Sequence, residues 1–340
     1  MATQAQPHIP QFKDLPVDAS HPPHSAWIWG PDDQLGTLNF LTKSAVLQGA
    51  SEMKIGERIG LDWSLNLSNV PADFRQGLKH EIFQIGPNVN DDVLELNTQS
   101  SSQWDGFRHW AFSDGRHYNG LEQSELERGG STRNGIHEWC RKGIVGRGVL
   151  IDFVEYANLH DIEYDATAHY AITLEQIKEI AQECDIQFHH GDILIIRTGK
   201  SSPLHCFRLA MSSTSELAGY TESLGSMSES DLTAVKERSS PWAASYPGVE
   251  NTLEMLEWLW DNRFAAVAGD APGFEAFPPT KFRMHETLLS GFGMPIGELL
   301  YLPMLAKVCQ RERRWTFFFT SQPLNVVGAV ASPPNALAIL

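Results

Sequence analysis

The chain has 340 residues, 42% of them hydrophobic and 20% charged, which is the composition of an ordinary globular protein rather than a disordered or fibrous one. At that length a full core can be buried without disulfide or metal staples. Lys and Arg number 26 against 42 Asp and Glu, and the formal net charge of −16 repels phosphate backbones and anionic lipid. Nucleic acid and a membrane surface are therefore not expected as partners. The cysteines Cys140, Cys184, Cys206 and Cys309 form no CxxC pair and read as reduced thiols.

Residues 1–26 read as an extended N-terminal arm, with order expected from Trp27. Its opening has no basic start followed by an apolar run, which predicts no signal peptide. No stretch approaches the roughly 18 consecutive apolar residues of a membrane helix. The expected compartment is the cytoplasm. From Trp27 to the end a single α/β domain is expected, because strand and helix patterns alternate with no repeat and no linker.

In chain order, Ile59–Trp63 and Val93–Asn97 alternate apolar and polar residues, as half-buried strands do. Gly148–Val154 is a nearly continuous apolar run, which predicts a central strand covered on both faces. A helix over 174–184 is predicted by the capping box of Thr173 and Gln176 and by the apolar face of Leu174, Ile177, Ile180, Ala181 and Cys184. Gly191–Thr198 reads as a second buried strand. Eleven serines among residues 201–240 break the pattern and suggest a long excursion or lid. Asn251 and Thr252 then cap a helix through Trp260, and Phe264–Ala268 and Trp315–Phe319 look like further strands.

Nucleotide hydrolysis, dinucleotide binding and serine-hydrolase chemistry have no motif here: GxxxxGK[ST], GxGxxG after a strand, GxSxG and HExxH are all missing. What remains is the segment Ser100–Trp110. If it is extended from Gln103 to Asp105, those two side chains share a face, and a turn at Gly106 returns His109 toward them. An amide, a carboxylate and an imidazole would then meet beside Trp104, Trp110 and Arg108. Such groups hold a divalent cation, activate water or move a proton. The alternative is that Asp105 caps a turn and His109 is a satisfied, half-buried histidine. A second polar knot lies at His285–Glu286 and at Glu298, a lone carboxylate among Pro295, Ile296, Leu299 and Leu300 that is costly to bury unless paired. Its alternative is a surface helix with a surface Glu.

These residues resemble the cyclase family, which includes bacterial kynurenine formamidase and isatin hydrolase. The family signature is H-x-x-x-H-x-D-x-x-x-H, followed much later by His and Glu. Asp105 and His109 match it in spacing, and His285 with Glu298 resemble the late pair, one residue farther apart than in the formamidases. The flanks also resemble the family: Trp29-Gly30 with Asp33, Leu35-Gly36, Leu38 and Asn39; Tyr118-Asn119-Gly120; Gly146–Leu150; and Gly191–Leu194 with Arg197-Thr198-Gly199. The likeness spans roughly residues 27–310. Gln99 and Gln103 stand where the family has its first two histidines.

The resemblance implies the swivelling β/β/α fold, a mixed sheet with packed helices, often assembled as a homodimer or larger homo-oligomer. It also implies hydrolysis of an amide, cyclic amide or lactone bond of an aromatic or heteroaromatic small molecule. A two-zinc centre is not expected, because a glutamine oxygen is a neutral, hard and weak ligand. One divalent cation, Mn²⁺, Mg²⁺ or Zn²⁺, held by Gln103, Asp105, His285 and Glu298 is expected instead, with a metal-free site as the alternative. His109 would act as the catalytic base with Asp105 beside it. Trp104, Phe107, Arg108, Trp110 and Trp242 would line the substrate. Two further readings stay open: a lyase, dehydratase or cyclase of a secondary-metabolite pathway, and a binding protein that has kept the pocket and lost the metal.

Overall fold

The computed structural model describes residues 7–65, 75–127, 129–199 and 245–340. Its strands are β1 (Arg58–Gly60), β2 (Lys79–Gly86), β3 (Val89–Glu95), β4 (Gln103–Asp105), β5 (Ile144–Asp152), β6 (Ala171–Ile172), β7 (Ile193–Arg197), β8 (Gly248–Val249), β9 (Ala266–Gly269), β10 (Ile296–Glu298), β11 (Thr316–Ser321), β12 (Ala331–Ser332) and β13 (Ala336–Ile339). The α-helices are α1 (Lys43–Ala50), α2 (Gln123–Glu127), α3 (His137–Cys140), α4 (Phe153–Leu159), α5 (Leu174–Glu183), α6 (Leu253–Asp261) and α7 (Pro303–Glu312), and a π-helix runs over Glu286–Phe292. One mixed sheet takes the order β1-β13-β11-β5-β7-β9-β10-β4-β12 among the described residues. Its centre, β5-β7-β9-β10, is parallel, and both flanks are antiparallel.

The apolar runs explain this centre. β7 and β9 are buried at every position and β5 at all but one, because helices pack over the sheet and leave no polar face. The run beginning at Gly148 ends as strand at Asp152. Phe153 and Val154, expected in the strand, instead open α4, because the Asp152 side chain accepts from Glu155 N and caps a helix there. The helix predicted from Thr173 is α5, with both halves of its capping box formed. Thr252 caps α6 through Met255 N, and α6 buries Met255, Leu256, Leu259 and Trp260.

Two expectations are corrected. Order does not wait for Trp27: the described part of the N-terminal arm packs on the core. Phe12 is buried, stacks on His24 at 4.7 Å and meets Phe292 edge-on, while Trp260 Nε1 donates to Pro10 O at 3.0 Å. Aromatic burial outweighs the proline-rich composition. The strand near Val93 is not half-buried either: β2 and β3 form a hairpin exposed along nearly its whole length, Ile82, Ile85 and Val93 included. Its alternation is real, but no other part of the described chain covers either face. The excursion at 201–240 and Trp242 lie outside the described residues.

Next to one edge of the sheet, β4 is held between β10 and β12. Its middle residue, Trp104, is fully buried, edge-on to Phe319 at 6.3 Å, with Nε1 donating to Ser321 Oγ at 2.9 Å. Trp104→Ala should therefore cost about 3–5 kcal/mol of stability, the usual range for an emptied aromatic core position. Chemical denaturation would measure it, and a loss below about 1 kcal/mol would show that this strand is not anchored by the indole.

Candidate metal and acid–base centre

Pairing of β4 with β10 brings the early and late polar knots together. The register sets Gln103 opposite Glu298 and Asp105 opposite Ile296, so alternation puts Gln103, Asp105 and Glu298 on one face and Trp104 on the other. His285 arrives from the residue preceding the π-helix, whose far end is locked by a glycine contact. Gly293 is left-handed, at φ +63°, and caps that end while Thr37 N donates to its carbonyl at 2.8 Å. A Cβ on the facing Gly36 would lie 2.0 Å from Gly293 O, so only glycine permits the approach. Leu299, next to Glu298, also has positive φ, +52°. A bulky residue rarely adopts that conformation, and here it turns the chain immediately after the buried carboxylate.

One ligand atom from each of Asp105, His285 and Glu298 lies within 4.8 Å of the others. His285 Nε2 is 3.0 Å from Glu298 Oε1, and His285 Nδ1 is 2.6 Å from Glu275 Oε2. Gln103 Nε2 donates to Glu298 Oε2 at 2.7 Å and lies 3.3 Å from Asp105 Oδ1. Gln99 Nε2 donates to Asp105 Oδ1 at 2.5 Å and is 3.1 Å from His109 Nδ1. His109 Nε2 faces Asp105 Oδ2 at 3.4 Å. Arg75 reaches in as well, its Nη1 donating to Gln99 O at 2.6 Å and to Gln103 Oε1 at 3.3 Å.

The electrostatics follow from burial. Desolvation, with the facing Asp105, pushes the Glu298 carboxyl up to about 7 against the pull of His285. Burial draws the His285 imidazole down, but Glu275 and Glu298 together hold it well above its ordinary value. His109 is held below the usual imidazole range by burial, with Asp105 opposing.

Several predicted site residues are placed elsewhere or in another role. Trp104 is core, and so is Phe107, which packs on Tyr118 at 4.7 Å and on Trp139 at 4.9 Å. Arg108 ties two loops, donating to Gly328 O and to Ser131 O, rather than facing the cluster. Trp110 does stand at the site, its ring 5.7 Å from His285 and 6.0 Å from His109, with the Arg283 guanidinium 5.0 Å over its face. Gln103 turns its amide nitrogen toward the carboxylates and its oxygen toward Arg75, so it serves as a donor where the sequence suggested an oxygen ligand. Sequence reasoning missed Glu275 and Arg75. Glu275 stands alone among apolar Phe274, Ala276 and Phe277, the same signal that singled out Glu298. Arg75 carries no such signal.

The residues fit a divalent cation. Among the described residues Asp105 Oδ2 is buried and accepts no hydrogen bond, with only the His109 ring facing it at 3.4 Å. The Glu275–His285 contact is the carboxylate–imidazole arrangement that usually stands behind a metal-ligating histidine.

The cyclase family model matches residues 17–276. The chain belongs to the cyclase family. Among solved structures it is similar to a crystal structure described as a novel cyclase, at 26% identity and a TM-score of 0.75, covering 92% of this chain and 98% of that one. It shares the fold of isatin hydrolase A from Ralstonia solanacearum at 17% identity and TM-score 0.53, covering 83% of this chain and 91% of that one. Isatin hydrolase A from Labrenzia aggregata, bound to benzyl benzoate, matches at 15% identity and TM-score 0.55, over 89% of this chain and 98% of that one. No match is found among curated proteins. The mixed sheet with packed helices is thus the cyclase fold, and no described helix is long and apolar enough to cross a membrane.

Proposed function

We propose that this member of the cyclase family is a metal-dependent hydrolase that opens an amide, cyclic amide or lactone bond of an aromatic small molecule. The observation that carries the reading is the buried Asp105–His285–Glu298 cluster with His109 against it and Asp105 Oδ2 unsatisfied. Asp105, His285 and Glu298 would hold the cation, which supplies Lewis acidity toward a carbonyl and acidifies water. His109, kept neutral by burial, accepts the proton given up by the attacking water and returns it to the leaving group. In the arrangement described, Gln99 occupies its Nδ1 lone pair, so water or substrate must displace that amide first. Trp110, backed by Arg283, offers one aromatic wall.

The test is a panel of aromatic cyclic amides (isatin among them), N-formyl arylamines and aryl lactones, assayed before and after chelation. Turnover lost on chelation and restored by Mn²⁺ supports the reading, and turnover indifferent to chelation overturns its metal. About one Mn²⁺ or Mg²⁺ per chain is expected in elemental analysis after loading, because two carboxylates and one imidazole favour hard ions over a zinc pair. Two tightly held zincs would show that Gln99 and Gln103 do not have the consequence argued here.

A second reading has its own support. Gln99 and Gln103 already donate into the carboxylate cluster, Arg75 donates to Gln103 Oε1 behind them, and Glu298 Oε1 lies 3.0 Å from His285 Nε2. Such a network can move protons in a lyase or cyclase reaction without a cation. Oxygen from labelled water enters the product only in the hydrolytic case. The uncovered β2–β3 hairpin supports the further proposal that the chain assembles as a homodimer or larger, since an isolated hairpin is marginal in water.

A further inference from the structure

Ten positions before His285 lies a carboxylate whose two oxygens do different things. Glu275 Oε1 accepts from Met284 N at 3.1 Å and from His285 N at 3.2 Å. These are first-turn N–H groups that a helix leaves without internal partners, and an anion there also complements the helix dipole. Glu275 Oε2 lies 2.6 Å from His285 Nδ1. The carboxylate itself cannot drift. Val249 N donates to Phe274 O at 3.0 Å and Ala276 N to Val249 O at 2.9 Å, which pins the backbone on both sides of it against β8.

The chemistry of this contact assigns the hydrogen. An ionised carboxylate only accepts, so Nδ1 must carry the hydrogen of a 2.6 Å contact. The opposite ring nitrogen, Nε2, is thereby the one turned to Glu298 Oε1 and grouped with Asp105. Because one side chain grips both the ring and the backbone of residue 285, the imidazole cannot rotate without also uncapping its helix.

We infer that Glu275 is a positioning residue that sets the tautomer and ring plane of His285, presents Nε2 to Asp105 and Glu298, and so governs the affinity of this centre for a divalent cation. The affinity clause rests on the metal reading above, whereas the tautomer clause does not. Glu275→Gln separates the two roles. A glutamine can keep the cap through Oε1, but its NH₂ then faces Nδ1, donor against donor, so Nδ1 gives up its hydrogen and only Nε2–H remains.

The experiment is nitrogen-resolved NMR of [¹⁵N]histidine-labelled, metal-free protein, with His285 assigned by the loss of its signals in His285→Gln. A Mn²⁺ titration of the same samples accompanies it. Wild type should show a strongly downfield Nδ1–H resonance. Glu275→Gln should lose it and keep Nε2–H, with circular dichroism unchanged and the Mn²⁺ dissociation constant raised by about 10–100-fold. A folded variant that retains the Nδ1–H signal and wild-type Mn²⁺ affinity overturns the inference. If the variant does not fold, the wild-type spectrum decides, since an Nδ1 without hydrogen overturns it equally. A wild type that binds no Mn²⁺ but shows the tautomer switch would sink the metal reading and leave the positioning role standing.

Discussion

Glu298→Gln should lower turnover by about 10²-fold or more while leaving the fold intact, and added Mn²⁺ should restore part of the loss. The carboxylate is fully buried on β10, bonded to Gln103 Nε2 and His285 Nε2, and faces Asp105. A glutamine keeps the volume and can still accept one of those bonds. It also removes one of two facing carboxylates, so repulsion with Asp105 falls and unfolding is not the expected cause of inactivity. What is lost is one of the two anionic ligands in the proposed set of Asp105, His285 and Glu298. Turnover and metal content measured together decide the role. A fall in both supports ligation. A dead variant with normal metal content makes Glu298 a proton carrier instead. Unchanged rate and unchanged metal would remove the late half of the site.

His109→Ala is expected to cost about 10²–10⁴ in kcat, the usual contribution of a positioned general base. The ring lies against Asp105 and Gln99 and is part of neither the core packing nor the proposed ligand set. Metal content should therefore remain near wild type. Burial holds this imidazole below its ordinary value, so in wild type the rate should fall only on the acid side of about pH 6.5, as the neutral base is protonated. A variant inactive only because its melting temperature collapses would make His109 a structural histidine. Full activity in a folded variant would move the base elsewhere, with Glu298 the next group to test.

These two residues show how differently the parts of the site could be read. Gln103, Asp105 and His109 are local: strand alternation and one turn at Gly106 put them together, and seven residues of sequence carry that information. Glu298 was legible by a different route, as a charge with no affordable place in an apolar run. Its distance from Asp105 was not legible, because it depends on β4 pairing with β10, and Glu298 lies 193 positions after Asp105 (298 − 105).

The sequence by itself determined the central strands, the helix caps at Thr173 and Thr252, and the family likeness, because burial periodicity and capping are short-range physics. Only the tertiary structure decided which side of β4 became site and which became core. Trp104 looked like a substrate wall from its neighbours, yet register and the pleat turn it toward Phe319. The glutamines behave likewise. As isolated residues they offer an oxygen or an amide hydrogen equally well, and Arg75 with the facing carboxylates chooses the hydrogen for Gln103. Glu275 acquires its role only because β8 and the first turn of the π-helix segment meet around it, and no periodicity in its own neighbourhood announces that meeting.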